Sequence, residues 1–245
     1  TVFNNTITTE GSNGYGVYLL QETYNNSVYS NNITTSGATA NGVYLFTTAY
    51  NNSIYSNSIT TKGSGSGVYL SSTAYNNNVY SNNITTGGAT ANGVYLFTTA
   101  YNNNVYSNRI TTNGSGFGVR LGSTAYNNNV YSNNITTKGS GADAIFLTTT
   151  VYNNSVYSNT ILAAHTNANG LMLTSTAFNN KVYNNNITRL GTTTTTGTGH
   201  GISLTSTAYN NSVYSNIITT YNTTSYGIFL NNDVYNNTFY DNNIT

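Results

Sequence analysis

The chain has 245 residues and a formal net charge of +1, and charged residues make up 4% of it, against about 25% in a typical soluble domain. That balance supplies neither a basic stripe for nucleic acid nor an acidic tail, and no apolar run reaches the ~18 residues of a membrane span. The absence of Cys rules out disulfides, thiolate metal sites and cysteine nucleophiles together. Pro and Trp are also absent, while Tyr numbers 24 and Gly 23. The chain begins at Thr1 without a Met or a signal-like segment, and reads as a processed product or a piece of something longer.

In chain order, Val2-Phe3-Asn4-Asn5-Thr6-Ile7 opens in mid-repeat, and the first complete copy starts at Tyr24. Equivalent aromatics follow at Tyr50, Tyr75, Tyr101, Tyr126, Tyr152, Phe178, Tyr209 and Tyr235, so the period is 25 or 26 residues except for one step of 31. Each copy ends in a Gly-apolar-x-Leu unit, such as Gly42-Val43-Tyr44-Leu45. Within a copy the apolar positions alternate. Val28 and Ser30 are expected to face in around Tyr29, Ile33 in beside an outward Thr34, and Val43 and Leu45 in around Tyr44. A period of two in runs this short means strands. Three strands per copy, stacked about 4.8 Å apart, predict an all-β, single-stranded parallel β-helix (a β-solenoid). It has about nine coils, forms one domain over 1–245 and carries no evident caps. The long coil, 178–208, is expected to shed its extra residues as a surface bulge near 189–200.

One column of the stack runs Val2, Val28, Ile54, Val79, Val105 and onward to Phe239, and a second runs Ile7, Ile33, Ile59, Ile84 and onward to Ile244. A third is Asn without exception: Asn5, Asn31, Asn57, Asn82, Asn108, Asn133, Asn159, Asn185, Asn216 and Asn242. Asn tolerates the left-handed region that corners need, and stacked amides can bond as a ladder. The combination N-N-x-V/I-x-x-N-x-I followed by G-V/I-Y-L resembles the parallel β-helix repeats of NosD-like and carbohydrate-binding/sugar-hydrolase proteins, found also in archaeal surface and adhesin-like proteins. The resemblance implies a right-handed helix and leaves function open between lyases, adhesins and wall components.

Chemistry is sparse. General acid/base cleavage needs two titratable groups close to one bond, and no two carboxylates share a column on adjacent coils. Asp143 approaches the coil of Arg120, and a surface ion pair is the expected meaning. His165 and His200 are expected as exposed loop residues, and Met172 takes an outward Tyr position, so no metal set is seen. The expectation is therefore that the chain is not an enzyme and uses no cofactor.

Outward aromatics are more informative: Tyr29, Tyr55, Tyr80, Tyr106, Tyr131, Tyr157, Tyr183 and Tyr214 form a candidate packing surface. Of 13 N-x-S/T sequons, Asn4, Asn25, Asn51, Asn113, Asn153, Asn210, Asn222 and Asn236 are candidate glycosylation sites. A Thr column invites an ice-binding reading, disfavoured because adjacent Thr residues point to opposite sides. Both ends stop in the same part of the repeat, so Val2, Phe3, Asn5 and Ile7 of one copy could stack on Phe239, Tyr240, Asn242 and Ile244 of the next. The expectation is a subunit of an extracellular or cell-surface filament, sheath or layer, whose partners are other copies of itself, head-to-tail and laterally, and glycans. The alternatives are a carbohydrate-binding adhesin module and, further off, a polysaccharide-processing enzyme.

Overall fold

The computed structural model describes residues 1–165, 167–191, 198–221 and 224–245. Most of the expected bulge, at 192–197, lies outside them. Each repeat supplies three short strands, for instance Ser27–Tyr29, Asn32–Thr35 and Val43–Phe46. Among the described residues every strand pairs, parallel, with its equivalents one repeat away. This gives sheet 1 and sheet 2 of ten strands each and sheet 3 of nine. Register is strictly like on like: Val28 on Ile54, Ile33 on Ile59, Val43 on Val68. The expected β-solenoid is present, and among the described residues no helix is long and apolar enough to cross a membrane.

The interior is built from the predicted columns. Val79, Ile84, Val94 and Leu96 are fully buried, as are their equivalents in neighbouring coils, and an Ala column (Ala49, Ala74, Ala100, Ala125) closes the gap between sheets 3 and 1. The second Thr of each Ile-Thr-Thr strand also points inward, and the hydroxyls of Thr61, Thr112 and Thr137 are buried there with no hydrogen-bond partner among the described residues. Thr35 and Thr86 donate theirs to the carbonyls of Ala40 and Ala91 at 2.8 Å.

Two expectations at the corner need correction. Ser30 does not face in: it is exposed with φ of 55°, as its equivalents Ser56, Ser81 and Ser107 are at 54°. The left-handed residue is thus the one before the ladder Asn. The Asn column is selected for hydrogen bonding, and the corner strain falls on a small Ser. The ladder itself is as predicted. Asn108 Oδ1 accepts from both the backbone N–H and the Nδ2 of Asn82 at 3.0 Å. Its own Nδ2 donates to Val79 O at 2.9 Å and to Asn133 Oδ1 at 3.0 Å. A second ladder, not anticipated, runs parallel to it through Asn26, Asn52, Asn77, Asn103, Asn128, Asn154, Asn180, Asn211 and Asn237. There Asn103 Oδ1 accepts from the N–H and Nδ2 of Asn77 at 3.0 Å.

The Gly that opens each sheet 3 strand is required by close approach. A Cβ on Gly93 would lie 2.2 Å from Ile110 Cγ2 and 2.5 Å from Gly118 O. The equivalent position in one coil is Ala144, and there the Ile145 N–H to Gly170 O bond is 3.2 Å, against 3.0 Å for Val94 N–H to Gly118 O.

Removing a mid-ladder amide strands buried partners above and below. Asn108→Ala is expected to lower the unfolding free energy by about 2–4 kcal/mol, since each unsatisfied buried group costs ~1–3 kcal/mol. Asn134→Ala, exposed on sheet 2, is expected to stay within about 0.5 kcal/mol. Urea denaturation of the two variants checks the contrast.

Candidate functional site

The outer faces of the three sheets differ. On sheet 1, Phe3, Tyr29, Tyr55 and their successors to Tyr240 stack without a break, with centroids 4.9 Å apart and planes within 6° for Tyr55 and Tyr80. The leading aromatics Tyr24 to Tyr235 form a second unbroken stack beside them. Rings piled face to face cover one another's π-faces and leave edges and hydroxyls outward. The proposed packing-surface tyrosines are therefore half-buried rungs.

Sheet 3 is the face where the columns change. Its outward column starts as Tyr18, Tyr44, Tyr69 and Tyr95, then continues as Arg120, Phe146, Met172, Ser203 and Phe229. Three residues earlier in each coil stands a facing column: Tyr15, Asn41, Ser66, Asn92, Phe117, Asp143, Asn169, His200 and Tyr226. Between the two columns lies a groove. One hollow of about 340 Å³ is lined by Tyr15, Asn41, Tyr44, Ser66, Tyr69, Asn92, Tyr95 and Arg120. A second, about 590 Å³, includes Asn169, Met172, His200, Ser203, Tyr226 and Phe229. Phe117 and Phe146, with ring centroids 4.3 Å apart, stand between them.

The facing column works as a ladder of acceptors. Asn41 Oδ1 takes the Ser66 N–H at 2.7 Å, Asn92 Oδ1 the Phe117 N–H at 3.0 Å, and Asn169 Oδ1 the His200 N–H at 2.8 Å. Asp143 and His200 take the same place. Asp143 Oδ1 accepts from Asn169 N–H at 2.6 Å and Asn169 Nδ2 at 2.9 Å, and His200 Nδ1 accepts the Tyr226 N–H at 3.2 Å. Accepting at Nδ1 fixes His200 as the neutral tautomer with its proton on Nε2. Burial, seconded by the Arg189 charge, holds its pKa below the usual value.

Two sequence expectations fail here. Asp143 is not a surface ion pair: it is 4% exposed, and burial pushes its pKa up to about 7, the two bonds from Asn169 opposing the rise only in part. His200 is not an exposed loop residue but 6% exposed, its ring 4.1 Å from Phe229. Arg120 takes the next rung after Tyr95, its guanidinium carbon 4.8 Å from that ring, 5.5 Å from Phe117 and 5.7 Å from Phe146. Burial pushes the Tyr95 hydroxyl up to about 12, with the Arg120 charge pulling the other way, and burial also raises Tyr44 and Tyr69.

Of the other predicted residues, the sequon residues Asn4, Asn25, Asn51, Asn113, Asn153, Asn210 and Asn236 are all exposed, and Asn222 lies outside the described residues. Among the end residues Phe3, Asn5, Tyr240 and Ile244 are exposed, and Val2, Ile7, Phe239 and Asn242 half-buried, as on the edge coils of any such stack. Among the described residues no cluster of His, Asp and Glu is arranged to hold a metal ion.

No family model matches the sequence, and no curated protein matches it. The fold is shared with solved right-handed parallel β-helices. The periplasmic alginate epimerase AlgG is 13% identical with a TM-score of 0.53 over 95% of this chain and 61% of its own. The enzymatically active domain of bacteriophage CBA120 tailspike protein 2 is 13% identical with a TM-score of 0.54, over 86% of this chain and 38% of its own. The A-module of the Azotobacter vinelandii mannuronan C-5 epimerase is 11% identical with a TM-score of 0.50, over 100% of this chain and 88% of its own. The chain thus spans less than two thirds of the first two. These neighbours are enzymes, which overturns the expectation that the chain is not one.

Asp143 makes stability depend on pH with a definite sign. Its folded pKa, about 7, lies above the unfolded value of ~3.9, so the folded chain binds the extra proton between those limits. Its stabilising contribution is full at low pH and is lost as pH rises towards 7. His200, with its lowered pKa, acts in the opposite sense, so the informative quantity is a difference. Asp143→Asn keeps the acceptor and removes the titration. The stability of this variant relative to wild type is expected to increase by about 2–3 kcal/mol from pH 5 to pH 8, at ~1.4 kcal/mol per pKa unit. Thermal or urea melts at the two pH values measure it.

Proposed function

We propose that the chain binds a polysaccharide laid along the sheet 3 groove. The observation that carries this is the hollow between Tyr44, Tyr69 and Tyr95 on one side and Asn41, Ser66 and Asn92 on the other. Ring edges, phenol hydroxyls and amides recur there once per coil, a regular array suited to a regular polymer of sugar rings and hydroxyls. The neighbours support the reading, since two of them are named for acting on alginate or mannuronan. It goes with an extracellular or cell-surface location. A second reading, lateral association of copies through sheet 1, draws support from its two unbroken aromatic columns, which crowd Tyr onto a nearly uncharged face. Sedimentation velocity over a dilution series tests that reading, and a single monomeric species throughout would end it.

The groove reading is tested by affinity electrophoresis against alginate, polygalacturonate and the neutral glucan laminarin. At least one polymer is expected to retard the protein. Ser66→Phe places in the groove the side chain that Phe117 already carries at the equivalent position, so the fold should tolerate it. That variant is expected to lose at least tenfold in affinity with an unchanged melting temperature. Retardation by none of the three, or full binding by Ser66→Phe, overturns the reading.

A further inference from the structure

Arg120 stands out among the chain's six Lys and Arg residues. It replaces a Tyr in the ladder, and its guanidinium is held at 4.8 Å over the Tyr95 ring with Phe117 and Phe146 close by. Rings against the plane of a guanidinium leave only its edge to donate. Among the described residues no acceptor meets it: Nε is buried with no hydrogen-bond partner, which leaves the terminal nitrogens as the donors towards the hollow that Arg120 lines. Nor does the nearest carboxyl along the groove serve it, because Asp143 Oδ1 is turned to Asn169. Buried donors are almost always paired in folded proteins. A guanidinium kept without a counter-charge at the end of an open groove is therefore matched to an acceptor that arrives from outside.

Resting on the reading of the groove as a polysaccharide site, we infer that Arg120 is the subsite for an anionic substituent, so that the polymer bound is an acidic one. The planar fork of Arg pairs bidentately with a carboxylate, and a sulfate ester presents similar oxygens. The position fits this role in two further respects. Arg120 lines the same hollow as Tyr69, Tyr95, Ser66 and Asn92, so a sugar held by those groups carries its substituent towards the guanidinium. The stacked rings also exclude water from one side of the charge, which strengthens an ion pair made there relative to one in bulk solvent.

The experiment uses one sugar backbone with its charge present or masked. Calorimetric titration of the full chain compares oligogalacturonate with its methyl ester, and a sulfated galactan oligosaccharide provides a third arm. Wild type is expected to prefer the free acid over the ester by tenfold or more, with the preference shrinking as salt is raised. Arg120→Met, the residue that Met172 already supplies in this column, is expected to abolish the preference while the ester still binds. Arg120→Lys keeps the charge without the fork and should retain part of the preference. Binding of the sulfated oligosaccharide as tight as the acid assigns the site to anions in general, and weaker binding assigns it to carboxylates; either supports the subsite. Equal binding of acid and ester by wild type, or a preference that survives in Arg120→Met, overturns the subsite and leaves the groove reading standing. Binding of none of the three overturns the subsite, and the electrophoresis against alginate, polygalacturonate and laminarin then decides the groove reading separately.

Discussion

The structure depends on one constraint: every side chain in a strand lies about 4.8 Å from its own equivalent in the next coil. In-register parallel pairing allows only residues that are compatible with themselves. A repeated carboxylate or ammonium would repel its copies, whereas Asn is donor and acceptor at once, Ile and Val interlock, and aromatic rings stack. The composition follows from this. Charge falls to 4% of the chain while Tyr reaches 24 residues, and two Asn columns persist through the stack. The chain can do with a narrow core because each coil is satisfied chiefly by its neighbours.

The same constraint decides where variation can enter. Most inward positions tolerate little, since their columns are closed by packing and by the Asn ladders; Arg189, fully buried in register with Ala163 and Thr220, is a departure from that rule. In the column facing the groove Asn, Asp and His each supply an acceptor for the next coil's N–H, while Tyr15 and Phe117 do without one. Asp143 and His200 therefore enter without losing that hydrogen bond, and His200 brings a titrating group into the lining of the second hollow. Across from them the aromatic ladder turns into Arg120 and then into Phe, Met and Ser, which divides the groove into a hydroxyl- and amide-lined part and a part with more apolar lining.

Much of the fold was legible in the residues because a repeat aligns itself: period, strands, core columns and the ladder from Asn5 to Asn242 all follow from spacing. The second ladder was hidden in plain repetition. Asn-Asn pairs such as Asn102-Asn103 put one residue outside with φ of 54° and the other inside the stack, and spacing alone does not say which. Ser30 was misplaced for a related reason, since strict alternation was carried one residue past the end of the strand into the corner. The site was less legible. Folding charges onto the repeat found the neighbourhood of Arg120 and Asp143, but burial of Asp143 and His200 depends on how far adjacent loops close over the column, and that depth has no periodic signature.

A face that repeats perfectly is a structural solution, because each rung is already satisfied by the rungs beside it. The sheet 1 tyrosines illustrate this: unbroken stacking uses up their π-faces and leaves a uniform skin of edges and hydroxyls. Specific recognition needs a group whose bonding capacity the stack does not consume. Arg120 meets that condition, since its flat face completes the Tyr95 ladder while its Nε finds no acceptor among the described residues. In a solenoid held together by like-on-like contacts, the place where the column changes is thus where unspent hydrogen-bonding capacity collects, and a ligand is the remaining partner able to use it.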